Sequence, residues 1–169
     1  RPRTIGLGTK IVLAALSLLT PLVFPGCTQD PVVKKQQHVE GGSRFLGEGK
    51  YNEAVIELKN ALQLDPTFVP ALHSLGRAYY AKGWYLDAAR ELSRAAEREA
   101  GAIPIRLLLG QSFLAVGDSN KAEEQAEAIR RIEPDSALVN YLVGAARIGK
   151  GDPKEAVALL ERAQAGPGA

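Results

Sequence analysis

The sequence predicts an all-α chain, a helix–turn–helix solenoid of about four repeats. Three observations lead there. One segment is a clean amphipathic helix: Ala54, Val55, Leu58, Ala61 and Leu62 fall on a single stripe at helical spacing. Asp65-Pro66 ends it, because the residue before a proline is pushed out of the α region. The same features then recur. Steps of 34 residues from Gly42 land on Gly76, Gly110 and Gly144; from Gly49 on Gly83, Gly117 and Gly151; from Ala54 on Ala88, Ala122 and Ala156. Three registered columns at a known repeat length are not accidental. Composition agrees, with 46% hydrophobic residues, few aromatics, and much Ala, Leu, Glu and Arg, which favour helix. A helix with one apolar stripe cannot bury itself alone, but stacked copies bury each other.

In chain order, Arg1, Arg3 and Lys10 precede an apolar run from Ile11 to Phe24, too short and too broken by Thr20-Pro21 for a comfortable membrane span. A basic lead with a short apolar core is the pattern of a secretory signal. Gly26 and Cys27 follow directly. This stretch resembles a bacterial lipoprotein signal, in which a small residue precedes a Cys that receives a diacylglycerol and becomes the new N-terminus. Phe24 and Pro25 depart from that family's preference for an aliphatic and then a small residue. The resemblance implies lipidation at Cys27, the only cysteine, and residue 28 is not Asp, which within the resemblance favours the outer membrane. Residues 1–27 are thus read as signal, 28–34 as a polar tether, and 35–169 as the repeats, divided 35–68, 69–102, 103–136 and 137–169.

Helices are expected at 36–48 and 52–64, 69–82 and 86–99, 104–116 and 120–132, and 137–149 and 153–165. Asn52, Asp118-Ser119 and Asp135-Ser136 are expected N-caps, and Asp152-Pro153 sets a cap before a proline at the first helical position. Phe45, Tyr79 and Phe113 share a register that Arg147 breaks; Leu58, Leu92 and Leu160 share another, with Ala126 as the exception. The fourth repeat runs into Gly166-Pro167-Gly168-Ala169 without a polar closing helix, and there is no Met, so a longer parent with further repeats is expected.

These columns resemble the tetratricopeptide repeat (TPR), over about residues 35–169. The resemblance implies a right-handed superhelix and gives each column a role. The Gly42 column lets the first helix of a pair approach the second, the Gly49 column makes the turn, and the Ala54 column sits where the helices cross.

Little in the sequence points to catalysis. Removing the three basic residues that precede Asp30 leaves 18 basic against 19 acidic, so the formal +2 charge is no argument for nucleic acid. The two histidines, His38 and His73, lie in different repeats, and no metal-ligand spacing, phosphate loop or nucleophile elbow is present. No cofactor and no metal are expected. His38 reads as tether or first-turn surface, and Trp84 as half-buried packing at a turn.

The resemblance places the binding surface on the concave face, for which the register nominates His73, Arg77, Tyr80, Leu107, Gln111, Leu114, Tyr141, Ala145 and Ile148. Mixed apolar and polar groups with two tyrosines suit an extended peptide or a helix laid in a groove. The family's carboxylate-clamp positions hold Val39, Ser43, His73 and Arg77 rather than Lys and Asn, which disfavours a chaperone-tail adaptor. The expected function is a non-catalytic interaction scaffold in a bacterial envelope, facing the periplasm. The segment Asn52–Pro66, closely following the signal, is similar to TPR lipoproteins of exosortase-linked (PEP-CTERM) exopolysaccharide systems. Alternatives are a pilus or outer-membrane assembly factor and the docking part of a longer enzyme.

Overall fold

The computed structural model describes residues 30–165. Within them the chain forms eight helices and no strand: α1 (Pro31–Gly47), α2 (Tyr51–Leu64), α3 (Val69–Ala81), α4 (Tyr85–Arg98), α5 (Ile103–Ala115), α6 (Ser119–Ile132), α7 (Ala137–Gly149) and α8 (Pro153–Ala165). Consecutive helices pair as hairpins, and each even-numbered helix also packs on the next odd one. The odd helices of neighbouring repeats touch one another (α1 with α3, α3 with α5, α5 with α7), whereas the even helices of neighbouring repeats do not. The odd helices therefore line the inner, tighter side of the curve and the even helices the outer side.

The turn column has a backbone cause. Gly49, Gly83, Gly117 and Gly151 adopt φ of 71°, 76°, 81° and 80°, the left-handed region where a Cβ is costly. The preceding column serves close approach. A Cβ on Gly42 or Gly76 would lie 2.6 Å or 2.5 Å from the Cγ of Leu58 or Leu92, both fully buried. Each leucine fills the dimple its glycine leaves, and its burial contributes about 1.5–3 kcal/mol. Repeat three solves the same problem differently. Ala126 stands where the leucine would be, and Leu142 of the next repeat comes to 3.0 Å of the Cβ position at Gly110. Gly144 faces Leu160 at 2.9 Å. Ala54, Ala88, Ala122 and Ala156 are all buried.

Two expectations at the first repeat need correction. Residues 31–34, read as tether, are the first turn of α1, because Asp30 caps it by accepting the backbone N–H of Val32 at 2.9 Å, with Pro31 at the helix start. Asn52 is not an N-cap: α2 begins at Tyr51 after Lys50, and the Asn52 Oδ1 instead accepts from Lys82 Nζ at 2.5 Å, tying repeat one to repeat two. Among the other caps, Asp118 accepts from the N–H of Lys121 at 3.1 Å, while Ser136 occupies the N-cap position of α7 without a side-chain bond. His38 lies within α1, where its Nδ1 is 2.7 Å from Glu57 Oε2 of α2.

Among the described residues, buried apolar side chains form two clusters. One runs from Val39 to Leu109 through repeats one and two and into α5; the other joins Ala126, Ile129, Val139 and Leu142 across α6 and α7. Where the aromatic column breaks, Arg147 sits among carboxylates. Its Nε is 3.6 Å from Glu123 Oε1 and 3.4 Å from Glu155 Oε2, and Lys150 Nζ reaches Glu123 at 2.7 Å. Glu123 Oε1 and Arg147 Nε are buried without a hydrogen bond among the described residues.

Candidate functional site: an inner cleft across repeats one to three

On the inner face a cleft of about 570 Å³ opens between α1, α3, α5 and the start of α2, lined by Leu46, Tyr51, His73, Arg77, Tyr80, Ala81, Pro104, Leu107, Leu108 and Gln111. Helical periodicity explains the set. His73, Arg77 and Tyr80 are spaced four and three along α3, and Leu107 and Gln111 are spaced four along α5, so each group projects from one face. The apolar part comes from Leu46, Leu107 and Leu108, and the polar part from His73, Arg77, Gln111 and the two phenols.

Electrostatics favour an acceptor-bearing guest. His73 is half-buried, and desolvation, followed by the neighbouring Arg77, holds its imidazole below the ordinary value of 6.5, while Glu99 acts the other way. Burial, and then Tyr141 and Tyr85, push the Tyr80 phenol above its ordinary value, so it stays a hydroxyl donor at neutral pH. Tyr80 is held edge-on by Tyr85, with ring centroids 5.2 Å apart. Arg77 is exposed and makes no salt bridge among the described residues. The cleft thus offers a cation with no salt bridge among the described residues, phenol donors and an aliphatic wall.

His73, Arg77, Tyr80, Leu107 and Gln111 come together in this cleft; Leu114, Tyr141, Ala145 and Ile148 do not line it. Leu114 packs on the second core cluster, and Ile148 and Tyr141 stand exposed further along α7. Leu46, Tyr51, Ala81, Pro104 and Leu108 line the cleft without being among the residues nominated by register. The signal for Leu46 was available, since it is the first member of the column that continues as Tyr80, Leu114 and Ile148. Tyr51 likewise precedes Tyr85 by one repeat. Cys27 lies outside the described residues.

Elsewhere, Trp84 stacks on Tyr79 with centroids 5.7 Å apart, and Lys82 Nζ lies 3.5 Å over its ring. Among the described residues no group of three or more His, Cys, Asp and Glu side chains is placed to hold a metal ion, and no helix is long and apolar enough to cross a membrane.

The family described as "TPR repeat" matches residues 42–83, and that described as "Tetratricopeptide repeat" matches residues 107–169. No curated protein sequence matches the chain. Among solved structures, MamA is similar at 27% identity and a TM-score of 0.70, over 78% of this chain and 77% of that one. TTC0263, a thermophilic TPR protein of Thermus thermophilus, is similar at 20% identity and a TM-score of 0.64, over 78% and 73% of the two chains. The first TPR of Spaghetti (RPAP3), solved bound to an HSP90 peptide, is similar at 17% identity and a TM-score of 0.66, over 70% and 94%.

Proposed function

The chain is a tetratricopeptide-repeat protein, and we propose that it is a non-catalytic scaffold of a bacterial cell envelope, holding one extended protein segment in the cleft between α1, α3 and α5. The observation that carries this is the cleft itself: free Arg77, donor phenols at Tyr51 and Tyr80, and an apolar wall at Leu46, Leu107 and Leu108, on the side where the odd helices meet. Proteins of this family typically mediate protein–protein interaction, and the RPAP3 domain with its bound HSP90 peptide illustrates that the fold can hold a peptide.

The envelope part of the proposal rests on the signal-like residues 1–27, with a lipid carried by Cys27 and the repeats facing the periplasm, the outer membrane being favoured. Several acyl chains anchor firmly, since each buried methylene contributes about 0.8 kcal/mol. Service in export or assembly, of the exopolysaccharide (PEP-CTERM) kind, is the pathway we favour, on the similarity of Asn52–Pro66 and its preceding signal to that group.

The test places a photo-crosslinking residue at Gln111 in the cleft and, as control, at Glu124 on an outer helix. A defined partner crosslinked from Gln111, lost on adding Arg77→Ala with Tyr80→Ala, supports the proposal. Equal crosslinking from Glu124, or indifference to the paired substitution, refutes it.

A further inference from the structure

We infer that the rim of repeat one formed by the first turn of α1 and the end of α2 lies against the lipid bilayer, so that the solenoid stands on its first repeat with its opposite, turn-bearing edge away from the membrane. This rests on the envelope reading above and adds an orientation to it.

The first observation is where exposed apolar surface occurs on α1. Among the described residues no helix covers the outer side of α1, and Lys34, Gln36, Gln37, Glu40, Ser43 and Arg44 there are polar and exposed. The exceptions are confined to the first turn, where Val32 is 62% and Val33 47% exposed. Had the side of α1 evolved to receive a preceding repeat, apolar residues would recur along its whole length. They occur only at its foot. Leu64, the last residue of α2, is also exposed, and the Lys35–Asp65 pair at 2.5 Å fixes the end of α2 beside the start of α1. Val32, Val33 and Leu64 therefore share one rim.

The second observation is the length of chain outside the helices. Cys27 is three residues before the cap Asp30, which at full extension spans about 10 Å. A lipid on Cys27 thus confines the foot of α1 to within about a headgroup layer of the hydrocarbon. The far edge is separated from it by the length of α1, about 25 Å for its 17 residues. That far edge carries the exposed Trp84 and Leu86. Charge at the near rim is mixed, with Lys34 beside Asp30, so apolar contact and the covalent anchor hold it rather than anionic lipid.

Trp84 is the only tryptophan of the chain and reports on the far edge without a label. The full chain is recovered from bacterial membranes and reconstituted in phosphatidylcholine vesicles with and without brominated acyl chains. Trp84 emission should be unaffected by bromine. In a Trp84→Phe background, the Val33→Trp variant should lose about half of its emission to bromine and shift to the blue, as an interfacial indole does. Arg44→Trp, at the other end of the same exposed strip, should behave like Trp84, which controls for the affinity of an indole for lipid. Quenching of Trp84 or of Arg44→Trp as strong as that of Val33→Trp overturns the inference, as does an unquenched Val33→Trp in membrane-bound protein. Incorporation of a fatty-acid probe, lost in Cys27→Ser, tests the lipid reading separately. If the probe is not incorporated while Val33→Trp is still quenched, the lipid reading falls and the rim assignment stands on the quenching.

Discussion

Replacing Gly76 by Ala sets two effects of known sign against each other. Alanine within a helix is favoured over glycine by about 0.8–1 kcal/mol. The new methyl, however, would lie 2.5 Å from Leu92 Cγ and 2.8 Å from its Cδ2. Leu92 cannot withdraw: the nearest atom is its branch carbon, not a free chain end, and the residue is 0% exposed. The upper part of the overpacking range therefore applies, about 2–3 kcal/mol. The net effect is a loss of about 1–2 kcal/mol, which for a chain of this size lowers the melting midpoint by a few degrees. Two other glycines calibrate the measurement. Gly47, the last residue of α1, has nothing within 4 Å of a Cβ, so Gly47→Ala should be neutral to stabilising by up to about 1 kcal/mol. At Gly110 the nearest atoms are the chain ends of Leu142 at 3.0 Å, so Gly110→Ala should fall between the two. Thermal and urea melts followed by circular dichroism give the order directly. If Gly76→Ala is as stable as Gly47→Ala, close approach is not what fixes this column.

Four further outcomes follow from the geometry. Gly83→Ala forces a methyl into φ of 76° with no clash, and should cost about 1–2 kcal/mol, with Gly83→Asn costing less; equal costs in a urea melt would count against backbone strain as the cause. Glu91 is a buried carboxylate bonded by Arg94 and Arg90, and Arg94 also donates to the Pro66 carbonyl at 2.6 Å, so Glu91→Ala should destabilise by about 1–3 kcal/mol, read from the same melts. The His73 imidazole is held below 6.5 in the folded state, so the unfolded chain binds more protons in that window. Stability from this group is complete above 6.5 and is lost as pH falls from there toward the depressed value; melts between about pH 7.5 and 5.5 should show a slope that His73→Gln flattens. Tyr80→Phe with Arg77→Ala should weaken partner capture with little change in melting, since Arg77 is exposed and the ring at 80 keeps its packing on the core and on Tyr85; capture at the parental level would move the site elsewhere.

The repeat period made the helix pairs legible, because one packing solution copied four times leaves its glycines and alanines in register. Chain direction and turns followed from proline and glycine chemistry. The start of α1 was legible as well: Asp30-Pro31 is the same cap-and-proline signal as Asp152-Pro153, masked by the polar appearance of the stretch around it. The cleft was legible only by column. Periodicity shows that His73 and Leu107 occupy equivalent positions, but the curvature that brings Leu46 and Tyr51 to them depends on how far each hairpin rotates on the last. The Leu142–Gly110 contact illustrates why that rotation was out of reach: Ala126 leaves a gap, and which neighbour fills it is decided in three dimensions.

The junction at Arg147 has a mechanical consequence. Tension along the solenoid is borne by each hairpin in turn. Repeats one and two share one apolar cluster, whereas α6, α7 and α8 meet through Arg147, Glu123, Glu155 and Lys150 beside a smaller one. Two polar atoms buried there, Glu123 Oε1 and Arg147 Nε, have no hydrogen bond among the described residues to offset their desolvation, which weakens this junction relative to an apolar one. Under load the fourth hairpin should peel away first while the cleft stays formed, making it a built-in shock absorber. Force spectroscopy on the full chain should show one early, low-force step of roughly a single hairpin, and replacing Arg147 by Phe together with Glu123→Gln should merge it with the main unfolding event.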